Sequence, residues 1–243
     1  MDIKQKIIYC CGTLWEQGGR QKNQDSLAFW QMKRKGEHCI IGIICDGIGG
    51  LQEGENASGY VVRQIISWFL TVGYKLKGRK KKESALQQVF YQVHEELKNY
   101  GIEKGIRLGT TVTFFLSDNN GFLWGHCGDS RLYYWHRGKM KQMTRNNCEK
   151  NGALNRAIGT GEWHKLTMGY QRWRTNDKIL LCTDGFYRKL DEKELERWFQ
   201  GTFTKDLQAE RILKQIGQRK IAMGEKDNIS ALYCGREKIR KSK

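Results

Sequence analysis

A chain of 243 residues that is 39% hydrophobic, with 8 Trp, 10 Tyr and 9 Phe, is long enough for one substantial core and is not a disordered polymer. Its net charge of +17 suits nucleic acid, an anionic membrane surface or phosphorylated substrates. No run approaches the roughly 18 apolar residues of a membrane span, and the start lacks the apolar core of a signal peptide. The eight cysteines contain no C-x-x-C pair, which argues against structural zinc. Cys39, Cys45, Cys127, Cys182 and Cys234 lie in apolar strand-like runs, as free thiols in a reducing, cytoplasmic compartment do. There is no proline, so Gly, Asn and Asp must shape the loops.

In chain order, Lys6–Cys11 reads as a short strand and Gly12–Gly19 as irregular. The polar cluster Arg20–Ser26 leads into a strand at Leu27–Trp30. After a turn at Gly36, Cys39–Cys45 is an apolar strand ending in Asp46 and glycines, which predicts an antiparallel hairpin. Ala57, Val61, Ile65, Trp68 and Val72 recur at helical spacing over Glu55–Val72. The run Lys75–Lys82 is expected to be a solvated basic loop. A second helix follows over Ser84–Tyr100, with Gly101 placed to stop it. Thr110–Leu116 and Phe122–Cys127 flank an Asn-Gly turn, and Arg131–Trp135 and Lys139–Met143 continue what reads as a meander. Arg145–Ala153 is irregular, and Ile179–Thr183 is a strand ending in Asp184-Gly185. Short helices are expected from Asp191 through Phe199 and after a Thr204 cap. The last elements are a strand at Ile229–Cys234 and a solvated basic tail, residues 236–243. This order indicates a single α+β domain over residues 1–235, not alternating βαβ units.

Three strand ends share one feature: Asp46-Gly47, Gly128-Asp129 and Asp184-Gly185 each place an acid beside glycine where an apolar run leaves the core. Asp227-Asn228 places an acid just before a strand. A turn or cap role explains any one of them. Four acids with this placement point to a shared cation, because clustered carboxylates repel unless a cation or a proton compensates. Oxygen ligands without His or Cys select Mg²⁺ or Mn²⁺ over Zn²⁺.

The motifs Arg20-x-x-Asn23-Gln24-Asp25-Ser26, Asp46-Gly47-Ile48-Gly49-Gly50, Gly54-Glu55-x-Ala57-Ser58, Gly109-Thr110-Thr111, Gly128-Asp129-Ser130-Arg131, Asn155–Gly159, Asp184-Gly185 and Asp227-Asn228 span nearly the whole chain. In this order they resemble the metal-dependent Ser/Thr protein phosphatases of the 2C type, in their bacterial form. The resemblance implies a four-layer α-β-β-α sandwich of two antiparallel sheets with a dinuclear Mn²⁺ or Mg²⁺ centre in a cleft. Carried over, Asp46 bridges the two ions, the Gly47 carbonyl binds the second, and Asp184 and Asp227 complete the first. Asp25 reaches a metal through water, Asp129 with Asp184 matches a third, weaker site, and Arg20 grips the substrate phosphate.

The implied activity is hydrolysis of phosphoserine or phosphothreonine in proteins by a metal-bridging hydroxide, in one in-line step. Ile48 stands where eukaryotic relatives carry a His, which bacterial relatives also lack, leaving a metal-bound water as the candidate leaving-group acid. His126 is expected to be packed near its strand end. Only Asn146–Leu154 occupies the place of a longer flap, and Leu14–Gly19 departs from the usual lead-in. The implied partners are phosphorylated proteins and an opposing kinase or its targets, with the chain itself a monomer. The alternatives are a catalytically weak binding module of the same fold, against which the retained carboxylates count, and nucleic-acid binding, for which no motif is present.

Overall fold

The computed structural model describes residues 5–34, 37–48, 51–118 and 120–240. Ten strands form two five-stranded antiparallel sheets. One sheet has the order β1 (Gln5–Glu16), β10 (Ile229–Arg240), β9 (Lys178–Cys182), β6 (Arg131–His136), β7 (Lys139–Gln142). The other has the order β2 (Asp25–Arg34), β3 (Glu37–Asp46), β4 (Val112–Ser117), β5 (Gly121–Cys127), β8 (Thr167–Arg172). Helices α1 (Gly54–Thr71) and α2 (Arg79–Lys104) cover the second sheet. Helices α3 (Asp184–Tyr187), α4 (Glu192–Trp198) and α5 (Asp206–Ala222) lie along the first. This is the expected four-layer α-β-β-α sandwich.

Strand β3 shows how the sequence specifies the layers. Successive side chains of a strand point to opposite faces. Ile41, Ile43 and Cys45 join Ala57, Val61, Ile65, Leu86 and Phe90 in the core under α1 and α2. Ile40 and Ile44 face the other sheet, with Leu132, Ile179, Leu181 and Leu232. Strand β9 repeats the pattern: Leu180 and Cys182 face α5 residues Leu213 and Ile216, whereas Ile179 and Leu181 face the inter-sheet core. A strand with both faces covered reads as an unbroken apolar run, which is why these two were visible in the sequence. Gly42 leaves room for the Phe115 ring on the neighbouring strand and for Leu232 on the facing sheet, since a Cβ there would lie 2.4 Å from the first and 3.0 Å from the second.

The structure corrects several boundaries. β1 runs on through Gly12 to Glu16, paired along its whole length with β10. The basic tail expected at residues 236–243 is strand as far as Arg240, because β1 offers its backbone partners that far; Glu237 is buried and Lys238 exposed in alternation. Residues 241–243 lie outside the described residues. The basic run 75–82 is half helical: α2 starts at Arg79, and Lys82 is buried and paired with Asp118 at 3.3 Å. That helix passes Gly101 and ends at Gly105, whose φ of 64° suits glycine.

The meander is two hairpins, not one. β4 pairs with β5 in one sheet and β6 with β7 in the other, and the chain crosses between sheets at Gly128, with φ of 115°. Strand β8 carries no strong alternation and was not anticipated. The predicted turn position Gly36 lies outside the described residues, whereas the Asn120-Gly121 turn joins β4 to β5 as expected, with the Asp118 N–H donating to the Gly121 carbonyl at 2.9 Å. Asp191 accepts from the Lys193 N–H at the start of α4, as expected of a cap. At α5 the Gln208 side chain, rather than the Thr204 hydroxyl, accepts from the Thr204 and Lys205 N–H groups. All eight cysteines are free, and among the described residues no helix is long and apolar enough to cross a membrane.

Because a Cβ at Gly42 would press on the Phe115 ring and on Leu232, Gly42→Ala is predicted to lower unfolding free energy by about 1–3 kcal/mol. Urea denaturation of the two proteins checks this.

Candidate active site

Five strand ends from both sheets meet at one end of the sandwich. Asp46 closes β3, and Asp25 opens β2 directly opposite it in the antiparallel ladder. Asp184 begins α3 as the chain leaves β9, Asp227 lies two residues before β10, and Asp129 sits on the crossing from β5 to β6. Asp25 and Asp184 are buried, and Asp46, Asp129 and Asp227 are half-buried.

Backbone and hydroxyl contacts hold the first pair in place. The Asp46 carbonyl accepts from the Thr110 hydroxyl and from the Thr111 N–H, both at 2.8 Å. The Asp46 N–H donates to the Thr111 hydroxyl at 3.0 Å. The Gly109-Thr110-Thr111 motif is therefore a clamp on the bend at Asp46. The Gly47 N–H donates to the Gln24 carbonyl at 3.0 Å, and a Cβ on Gly47 would lie 2.4 Å from the Gly54 carbonyl oxygen, so only glycine fits there.

Asn228 organises the lead-in loop. Its side-chain Oδ1 accepts from the Gln24 N–H at 2.9 Å, and its side-chain Nδ2 donates to the carbonyls of Gln17 and Lys22 at 2.8 and 3.0 Å. Gly185 lets α3 approach this segment, since a Cβ would lie 2.1 Å from the Asn228 carbonyl oxygen.

The carboxyl groups feel one another. Burial, then the charges of Asp25, Asp184, Asp129 and Asp227, push the Asp46 carboxyl well above the usual carboxylate range. Burial pushes Asp25 up to about 6, against the Thr183 hydroxyl, which donates to it and pulls it down. Burial and then the Asp129 charge push Asp184 up to about 7, with Arg188 opposing. Burial raises Asp129 too, and Arg188 is the first influence against it. The contacts place these groups together: Asp25 lies opposite Asp46, Thr183 beside Asp184 bonds Asp25, and Arg188 spans Asp184 and Asp227.

Two arginines counter part of this charge. Arg20 grips Asp227 with a two-point fork, Nε to Oδ1 and Nη2 to Oδ2, both at 3.0 Å. Arg188, one helical turn beyond Asp184, pairs with that residue and lies 3.6 Å from Asp227. Five carboxylates face two guanidiniums, so negative charge remains in formal excess. Among the described residues no three His, Cys, Asp or Glu side chains stand in ready-made ligating geometry. The donor set nonetheless fits a hard cation: it is all oxygen, it is repulsive as it stands, and the buried Asp25 Oδ1 has no hydrogen-bond partner.

The structure thus brings Asp25, Asp46, Gly47, Asp129, Asp184, Asp227 and Arg20 to one end of the molecule. Gly49 and Gly50 lie outside the described residues. His126 is packed, as anticipated: its ring is 1% exposed, lies between the Thr113 hydroxyl at 2.9 Å and the Arg145 carbonyl at 3.1 Å, and is held neutral with a pKa lowered by burial to about 4. The short segment 146–154 lies against Gly128, whose N–H donates to the Asn147 side chain at 3.0 Å. Motif reading missed Thr183, whose hydroxyl donates to Asp25 at 2.9 Å, and Arg188. The Asp184-to-Arg188 spacing of four on a helix was the available signal.

Comparison with known proteins agrees with this fold. The chain is 25% identical to the serine/threonine phosphatase stp of Listeria innocua, over 92% of this chain and 94% of that protein. It superposes on serine/threonine phosphatase Stp1 of Staphylococcus aureus with a TM-score of 0.81 at 20% identity, covering 93% of this chain and 94% of the other. It also superposes on the catalytic domain of the serine threonine protein phosphatase PstP, solved in complex with 2 manganese ions, with a TM-score of 0.77 at 20% identity, covering 96% and 100%. Residues 16–219 match the family model described as protein phosphatase 2C. With most of its length matched, the chain belongs to the protein phosphatase 2C family and is a protein phosphatase by class.

Proposed function

We propose that this phosphatase hydrolyses phosphoserine and phosphothreonine in proteins with two divalent cations, Mn²⁺ or Mg²⁺, in a single in-line displacement. The observation that carries the proposal is the meeting of Asp46, Asp25, Asp184 and Asp227 at one end of the sandwich, tied by strand pairing, the Thr183–Asp25 bond and the Arg188 pairs, with a buried Asp25 oxygen left without a partner. Asp46, the Gly47 carbonyl, Asp184 and Asp227 would hold the cations, and Asp25 stands behind Asp46. When bound, such cations lower the pKa of water towards neutrality and neutralise phosphate oxygens.

The chain's own groups set the rest of the chemistry. Cys45, Cys127 and Cys182 end the strands at the site, but burial pushes every one of these thiols up, Cys127 to about 12. A protonated thiol is a poor nucleophile. The Thr183 hydroxyl is engaged with Asp25. With these thiols protonated and the Thr183 hydroxyl engaged, water is left to attack phosphorus directly, without a phosphoenzyme. Arg20 is half-exposed at the cleft and presents a planar fork that matches two phosphate oxygens as well as it matches Asp227. The departing seryl or threonyl oxygen takes its proton from water in the cleft, since Ile48 supplies none.

The net charge of +17 draws acidic phosphorylated substrates towards the protein. Eight free thiols suit a reducing, cytoplasmic setting, where a monomer would oppose a protein kinase acting on the same targets.

Asp46→Asn is predicted to lower Mn²⁺-dependent phosphate release from a phosphoserine peptide by more than about 100-fold. It should not lower the melting temperature in EDTA, because it removes a repelled carboxylate. Arg20→Ala should mainly raise KM for the phosphopeptide, and steady-state kinetics on the two variants check both outcomes.

A pH dependence follows as well. Asp25 and Asp184 titrate in the folded protein at about 6 and about 7, above the ordinary carboxylate value of about 4. Between those values the folded state binds more protons than the unfolded state, so their contribution to metal-free stability falls as pH rises through that window. A cation competes with those protons. The Mn²⁺-induced rise in melting temperature should therefore be larger at about pH 7.5 than at about pH 5.5. Thermal melts with Mn²⁺ and with EDTA at both pH values test this.

A further inference from the structure

We propose that the end of the sandwich opposite the acid cluster docks on an anionic lipid surface, leaving the cleft open on the other side. Strand directions define that end. β3 runs from Glu37 to Asp46, so its start lies roughly 30 Å from the acids. The segments 117–121, 136–139 and 172–178 turn the chain at the same end, beside the close of β10. The α1–α2 connection belongs there too. Lys82, near the start of α2, pairs with Asp118 of the β4–β5 turn at 3.3 Å, and residues 74–78 line one cavity with Glu37, Cys39 and Asp118. Loops of the two sheets adjoin, since the Trp173 N–H donates to the Asn120 carbonyl at 3.3 Å.

Charge divides unevenly between the two ends. Residues 74–82 carry six basic side chains and no acid. Lys33, Lys75, Lys77, Arg137, Arg174 and Lys238 are all exposed at this end. The acids of the same segments are mostly engaged or buried: Glu83 pairs with Arg79 and Asp118 with Lys82, Asp177 and Glu237 are buried, and Glu37 is exposed. The other end holds the five carboxylates of the cleft. A negative surface therefore attracts one end of the molecule and repels the other, which turns the cleft outward.

The side chains among these charges favour lipid over nucleic acid. Val72, where α1 gives way to the connection, is 44% exposed, and Ile7 on β1 is 39% exposed. Apolar groups of this kind enter the headgroup region while lysine stems lie along it. The basic run of the connection has five Lys and one Arg, mostly point charges and not the planar forks that read base edges. Among the described residues the large exposed aromatics, Trp15, Trp30, Tyr91 and Tyr100, lie within strands or helices and not in these loops. The charge thus comes without a platform on which bases could stack.

The test is sedimentation of the full chain with phosphatidylcholine vesicles, either pure or containing about 30% phosphatidylglycerol. Binding is expected to the anionic vesicles only, and to weaken as salt rises from about 0.1 to about 0.5 M. Lys75→Glu, Lys77→Glu and Lys80→Glu combined should cost at least about 100-fold in affinity, and the same reversal at Lys104, Lys150 and Lys214 less than about tenfold. Val72→Ser should lower affinity severalfold with no change of charge. Bound protein should keep its Mn²⁺-dependent turnover of p-nitrophenyl phosphate. Equal binding to both lipid mixtures, or equal losses in the two triple variants, would overturn the inference. Unchanged affinity in Val72→Ser, or displacement from vesicles by DNA duplex at equal phosphate concentration, would overturn the assignment to lipid. Turnover lost on binding would overturn the outward cleft. An absence of turnover in solution would defeat the proposed function and leave the binding comparison standing. The wild-type comparison decides the matter even if a variant fails to fold.

Discussion

Like charges opposed in a half-dry cleft are the constraint around which this molecule is arranged. Asp25 and Asp46 occupy one rung of the β2–β3 ladder. Residues directly opposite in an antiparallel pair have Cβ atoms roughly 5 Å apart, and like charges at such a position are destabilising. Asp184, Asp129 and Asp227 then add their charges from the neighbouring sheet and its loops. No folded chain gains from such an arrangement by itself. Protons, guanidiniums or divalent cations must offset it, and the site holds the first two already, in raised carboxyl pKa values and in Arg20 and Arg188.

The rest of the fold serves to keep the acids from relaxing apart. The inter-sheet core, from Ile40 and Ile44 to Leu181 and Leu232, fixes the sheets face to face. Thr110 and Thr111 lock the Asp46 backbone, Thr183 holds Asp25, and Asn228 ties the loop carrying Arg20 to the start of β10. Glycines at 47 and 185 permit backbone contacts that a Cβ would prevent. Repulsion stored in this way is the usual trade between stability and function, concentrated where chemistry happens.

Much of this was legible in the sequence because the key strands carry their acids at their ends. β3 and β9 are covered on both faces, so they appear as apolar runs that stop at Asp46 and Asp184. What stayed hidden was long-range. Nothing local to Gly128 says that the chain changes sheets there, because a positive φ at glycine leaves no mark on neighbouring residues. The tail's charges suggested solvent, yet β10 continues to Arg240 because β1, from the other end of the chain, is there to pair with it. Lys82 was hidden in the same way, its partner Asp118 lying beyond the whole of α2. Arg188 belongs to no motif, and only the converging acids give it a role.

The account stands on cations seated among these carboxylates. The most direct measurement is anomalous diffraction from crystals soaked in Mn²⁺. Two anomalous peaks are predicted, bounded by Asp46, the Gly47 carbonyl, Asp184 and Asp227. Absence of anomalous density at this end of the sandwich in fully soaked crystals, or ions held only elsewhere on the protein, would contradict it.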